Sequence, residues 1–304
     1  LGALNTAQFT GLTTAQLVSL TTLQIAGLGT DDVKALATSQ LVLLGTEQIE
    51  ALTSSQVINL STDQLVSLTT LQVAAISSDD LGALSTDQVN LFSTAQIAAL
   101  TSAQVAGFTT TQLNALSQSN LQAIETQDMV GLTTEQVPAL STAQLVLLTT
   151  GQIAGVENDD LKVLTTTQVQ ALTSSQLIAL TTTQMPSLTT AQLVSLSTAQ
   201  VQAIENQDLA ALNTTQFTSL VTKQLVALTT TQVQALSSSQ LSALSEGPLQ
   251  SLLAVQIGAL TTTQYVSLAT GQLAALTTVQ VQGIEAADLN ILNTTQLGVL
   301  STAQ

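Results

Sequence analysis

The chain has no cysteine, histidine, tryptophan or arginine, and only 3 of its 304 residues are basic. Without histidine or cysteine, the residues that most often serve as general base, nucleophile and zinc or haem ligand are missing. Ser and Thr abound, but none sits in a nucleophile elbow or beside a base, and no glycine-rich phosphate loop is present. The sequence therefore predicts a protein without catalysis. Lys34, Lys162 and Lys223 face 19 acidic residues, for a net charge of -16. Phosphate backbones are bound by clusters of Lys and Arg, so nucleic acid is excluded as a partner, and an anionic membrane surface is disfavoured. Mean hydropathy is +0.42, yet polar residues interrupt every apolar stretch, and nothing approaches the run of about 18 that a membrane span needs. No signal-peptide or stop-transfer pattern is found. The lack of cysteine leaves the compartment open.

What is there is a period of eight that never slips. The 304 residues form 38 octads of eight, without insertion or deletion. Each reads apolar, variable, small, Leu, Ser/Thr, Thr/Ser, variable, Gln, as in the octad from Val233 to Gln240. Positions one and four are apolar throughout. Position eight is Gln except at Asp32, Asp80, Asn120, Asp128, Asp160, Asp208, Pro248 and Asp288. Such strictness implies one small unit stacked many times, here a single continuous array over residues 1–304. The chain begins at Leu1 and ends on a complete octad, and both ends resemble the middle. The expectation is a window on a longer chain.

A continuous helix is excluded by angle. At about 100° per residue, eight residues leave the apolar pair about 80° further round each time. A strand would need alternation of period two, which spacings of three and five do not supply. Within one octad, however, positions one and four share a helical face. Ser/Thr at position five with Gln at position eight is a capping box, as from Thr229 to Gln232. The expected architecture is an all-α solenoid of very short capped helices, one per octad. Gln should be half buried, bonded to its cap or to a neighbouring turn, and the small residue at position three should allow close approach. Pro138 and Pro186, at position two, fit a helix badly, and the many Thr and Val residues keep a β-solenoid as the alternative.

Acidic residues gather in the octads that depart from the pattern, such as Ile124-Glu-Thr-Gln-Asp128, Val156-Glu-Asn-Asp-Asp160 and Ile204-Glu-Asn-Gln-Asp208. One reading makes them exposed caps that favour the helix dipole and keep the surface solvated. A sharper one makes them markers of a superhelical turn of about five octads. A third gives them calcium, with Asp79, Asp80, Glu157, Asp159 and Asp160 as candidate oxygen ligands. No glycine-containing calcium loop surrounds these residues, and no other cofactor is implied. Polar residues at positions two, six and seven could present hydrogen bonds to a repeating polysaccharide, although aromatic platforms are nearly absent.

The octad with its Leu-Thr-Thr-x-Gln core resembles the repeat regions of giant bacterial cell-surface proteins, adhesin-like or filament-forming. The resemblance covers the whole chain. It implies an extracellular, structural or adhesive setting at the bacterial surface. The matching, uncapped ends make other copies of the chain the expected partner through self-assembly, and the polar rows make polysaccharide a second.

Overall fold

The computed structural model describes residues 6–304; Leu1 and Leu4 of the first octad lie outside the described residues. From Thr6 onward the chain forms 35 α-helices and two 3-10 turns, one element per octad. There is no strand among the described residues, so the β-solenoid alternative is set aside. The abundant Thr does not build strands because it sits where a helix begins. Thr229 has extended dihedrals (φ -72°, ψ 158°), and its hydroxyl accepts the Gln232 N–H. This is the backbone region that β-branched residues prefer, used for one residue at a time.

Each helix ends as simply as it starts. In the helix Thr222–Ala227 the next residue, Leu228, leaves the helical region at φ -57°, ψ 138°, and Thr229 follows in the extended region. Two consecutive extended residues thus make the corner between one helix and the next. No described residue has positive φ, glycine included. The corners therefore need no left-handed glycine, and the uniform octad repeats without one.

Two compact units divide the chain, Leu1–Asp160 and Leu161–Gln304. The construction is the same in each. Positions one and four are buried, as at Leu65 and Leu68 in the first unit and Leu225 and Leu228 in the second. Positions five, six and seven face solvent, as at Thr165, Thr166 and Thr167. In the first unit Ser102–Gly107 packs between Ser78–Ala83 and Thr126–Gly131; in the second, Thr222–Ala227 packs between Thr198–Ala203 and Glu246–Ser251. Each helix thus rests on the third one along, and a single octad has no core of its own.

The small residue at position three lets these layers approach, as expected. A Cβ added at Gly131 would overlap the carbonyl oxygen of Ser102, and one at Gly155 that of Thr126. At Gly107 it would lie 2.7 Å from the Ser78 carbonyl oxygen. In each case the opposing carbonyl belongs to position six of an earlier octad.

Pro138 and Pro186 are accommodated by shortening. Pro138 lies in a four-residue helix, Gln136–Ala139, and Pro186 in the 3-10 turn Met185–Ser187. In regular octads the position-two N–H bonds back to position six, as from Ile58 to Ser54 at 3.0 Å. Proline removes that one bond. The cap bonds survive, with Thr133 donating to Gln136 Oε1 at 2.9 Å.

Candidate functional site

The dominant polar feature is a ladder of buried glutamines. Gln224 has no solvent exposure. Its Oε1 accepts the N–H of Val221, the residue that opens its own helix, at 2.9 Å. Its Nε2 donates to the carbonyls of Leu193 and Leu196, both at 2.8 Å. In the first unit Gln56 accepts from Thr53 N–H at 2.7 Å and donates to Ile25 and Leu28 at 3.0 and 2.8 Å. The acceptors are positions one and four of the octads 31 and 28 residues earlier. One side chain therefore satisfies a donor at the start of its own helix and acceptors at the end of an earlier one. The sequence predicts a half-buried Gln bonded to one or the other; at rungs such as Gln56 and Gln224 it is buried and does both, whereas Gln16 and Gln24, near the start of the chain, are exposed.

The rungs also set the winding. Bonds reach 28 to 31 residues back, and packing places each helix on the third one along. A turn therefore takes between three and four octads. This corrects the reading of acidic octads as markers of a five-octad turn, because their spacing is not the spacing of the turns.

A second set of inter-turn bonds lies on the outer surface. Where position two is Asn or Gln, the amide can donate to the position-three carbonyl of a later turn: Asn90 to Ala115 at 2.7 Å, Gln122 to Leu147 at 2.7 Å, Gln170 to Ser195 at 2.8 Å. Sequence reasoning missed these. An amide at a variable, exposed position carries no signal of a partner so far along the chain.

The acids divide into two groups, which corrects their reading as exposed caps. At position eight, Asp80, Asp128, Asp160, Asp208 and Asp288 are buried, in the place that Gln holds elsewhere. Asp32 is half-buried and accepts from the Thr6 hydroxyl at 2.9 Å. The acids earlier in the octad (Asp79, Glu157, Asp159, Glu125 and Glu205) are exposed or nearly so. The calcium candidates are thus divided by depth: Asp79, Glu157 and Asp159 outside, Asp80 and Asp160 inside. No three acidic side chains converge on a metal position among the described residues.

A carboxylate in a glutamine's place has no N–H to donate, and its environment shows the consequence. Burial raises Asp160 to about 6, helped by the negative charges of Glu157 and Asp159. Burial and the Glu205 charge raise Asp208 to about 6. Asp128 is raised too, by burial and then Glu125, but a backbone hydrogen bond from Ser102 opposes the shift. Both carboxylate oxygens of Asp208, and Oδ2 of Asp160, are buried without a hydrogen-bond partner. Asn120, by contrast, keeps its rung, donating to the Phe92 carbonyl at 3.0 Å.

At Asp288 the protein uses a different donor. A Gln there would reach back to the Ile257 carbonyl; instead the buried Tyr265 hydroxyl donates to it. Burial, then Asp288 and Glu285, raise the Tyr265 hydroxyl well above its ordinary value, so it stays a donor at any physiological pH. Ile257 O also accepts the Leu260 N–H at 3.0 Å. Tyr265→Phe should therefore cost only about 1 kcal/mol, the net worth of one hydrogen bond. The midpoint of urea unfolding reads this out.

Capped helices stacked on the third neighbour and cross-tied by buried amides define a helical-solenoid repeat protein. The chain belongs to the ALTTAQ repeat family, whose model matches residues 25–62, 57–94, 121–158, 153–190 and 201–238, more than half of the length. Every match starts at position one of an octad and is long enough to hold a full rung: Gln56 with Ile25 and Leu28 in the first, Gln232 with Val201 and Ile204 in the last. No curated protein matches the chain. No helix among the described residues is long and apolar enough to cross a membrane.

Proposed function

We propose that this repeat array is a structural element, a subunit of an extracellular bacterial filament or surface stalk, without enzymatic activity. The observation that carries the reading is the rung. Each turn is tied to an earlier one by the same amide, so turns can be added without changing the chemistry of the joint. A repeat of this kind supplies length and surface rather than a pocket. Its buried contacts are made between octads, and the same self-complementary packing suits association with further copies. The resemblance to giant cell-surface repeat regions supports the extracellular setting. Surface shaving with protease, followed by immunogold electron microscopy with antibody raised against this chain, tests the proposal on the cells that make the protein. Labelled fibres or stalks outside the cell are expected. Antigen confined to the cytosol would overturn it.

The exposed polar side chains at positions two, six and seven favour a second reading, in which the same filament binds a polysaccharide. Against it, position-two amides such as Gln122 and Gln170 already serve the protein's own carbonyls. A glycan array probed at low salt with calcium present separates the two. If no sugar is retained, the binding reading falls and the structural one stands.

A further inference from the structure

Asp208 is the rung whose chemistry the ladder leaves unfinished. It lies in the helix Asn206–Ala211 and is 1% exposed, and neither carboxylate oxygen has a partner. By the register of the regular rungs, in which Gln224 meets Leu193 and Leu196, a residue here faces the position-one carbonyl of Leu177 and the position-four carbonyl of Leu180. Leu177 O already accepts the Leu180 N–H at 3.2 Å. Leu180 O meets no amide from position eight. Asn120 shows that a side chain of this length reaches, since its Nδ2 lies 3.0 Å from Phe92 O in the equivalent place. Asp is isosteric with Asn.

The donor that helps Asp128 is lost to Asp208. Asp128 takes a backbone hydrogen bond from Ser102, in an earlier turn. The counterpart for Asp208 is Thr182, in the octad before the one that Pro186 converts to a 3-10 turn, and Thr182 makes no bond to it. Nothing nearby offers a positive charge. The helix of Asp208 packs against Met185–Ser187 and Thr230–Ala235, and neither segment contains an ionisable residue. The flanking helices Thr198–Ala203 and Thr214–Thr218 contain none either. The one neighbouring ionisable group is Glu205, exposed, of the same sign, and occupied by the Gln207 amide at 3.0 Å.

We infer that Asp208 is a proton-binding rung: in the folded chain it holds its proton under mildly acidic conditions and donates Oδ–H to the Leu180 carbonyl, and it surrenders that inter-turn bond near neutrality. The proton plays the part that the amide N–H plays at other rungs. Ionisation places a buried carboxylate against a carbonyl dipole with no compensating donor. The direction of the pH effect follows. Below about 3.8 the carboxyl is neutral whether the chain is folded or not. Between there and about 6 the folded state keeps a proton that the unfolded state releases, so stability falls as pH rises through this window and levels off above it. This is opposite to the behaviour of a salt-bridged aspartate.

The experiment is a carboxyl-carbon NMR titration of the full chain labelled at aspartate Cγ, with Asp208 assigned by comparison with Asp208→Asn. Thermal unfolding is followed in parallel at pH 4 and pH 7.5. Asp208 should titrate about two pH units above an ordinary aspartate. Asp208→Asn, which has a permanent donor, should match the wild type at pH 4 and exceed its Tm by about 2–4 °C at pH 7.5. Asp208→Gln, the regular residue of the position, should behave in the same way and serves if the Asn variant folds poorly. Titration near 4, or the same Tm difference at both pH values, would overturn the inference. So would a rise in wild-type Tm with millimolar calcium at pH 7.5 that both variants lack, because a cation would then hold the rung.

Discussion

Replacing Gln224 by leucine should lower the stability of the array by about 3–5 kcal/mol, the largest loss expected from a single polar side chain in this protein. The volume at the site is nearly conserved, so the cost is not a cavity. Two backbone groups lose their partner. Val221 N–H opens its helix and bonds to Gln224 Oε1 at 2.9 Å; Leu196 O ends an earlier helix and receives Gln224 Nε2 at 2.8 Å. Each buried group left unsatisfied costs about 1–3 kcal/mol. Leu193 O and, at 3.3 Å, the less buried Val194 O also lose a donor; Leu193 O retains the Leu196 N–H at 3.2 Å. Val221 has no hydroxyl to substitute for the missing oxygen, which makes this rung a clean test. Gln282, exposed at position two, is the control; its replacement by leucine should change stability by no more than about 0.5 kcal/mol. The urea midpoint, together with amide exchange at Leu196 and Val221, measures both variants. Equal behaviour of the two would mean that the rungs are not what ties one turn to the next.

Gly131→Ala should cost about 2–3 kcal/mol although alanine is the better helix former. The new methyl would overlap the Ser102 carbonyl oxygen and lie 2.7 Å from its carbon. Both belong to backbone, and the helix Ser102–Gly107 is itself held from the other side by Ser78–Ala83. The layers therefore have to separate, an overpacking cost of about 1–3 kcal/mol or more. The gain of up to about 1 kcal/mol from helix propensity does not offset it. Gly247 provides the contrast, since a Cβ there meets nothing within 4 Å. Gly247→Ala should be neutral or slightly stabilising. Thermal unfolding of the two variants decides the matter, and a neutral Gly131→Ala would show that the layers are loosely held.

The acidic octads show where a linear reading stops. Glu205 and Asp208 look alike in sequence, as two acids at the start of a helix. One is exposed and bonded to Gln207, and the other is buried without a partner. Depth separates them, and depth follows from position eight pointing at another turn. The signal was present in a weaker form: the five buried aspartates all occupy the place that Gln otherwise holds, so whatever Gln does there, they must do without its N–H. The calcium candidates are divided by the same rule, since neighbours in an acidic run differ in depth, Asp159 being exposed and Asp160 buried.

Everything contained within one octad was legible in the sequence. The cap at Thr229, the return bond from Gln232 and the buried pair Val233 and Leu236 follow from local geometry, because the interacting groups are near neighbours along the chain. Which earlier octad a given octad touches was not legible, and it could not be. In a strict repeat all octads are nearly equivalent, so the pattern contains nothing that distinguishes a partner three octads away from one five away. That choice is made by the dihedrals of two extended residues at each corner and by how closely small side chains let the layers approach. The second bond of the buried glutamines, the length of the turn and the burial of Asp208 depend on that choice, and only the tertiary structure makes it.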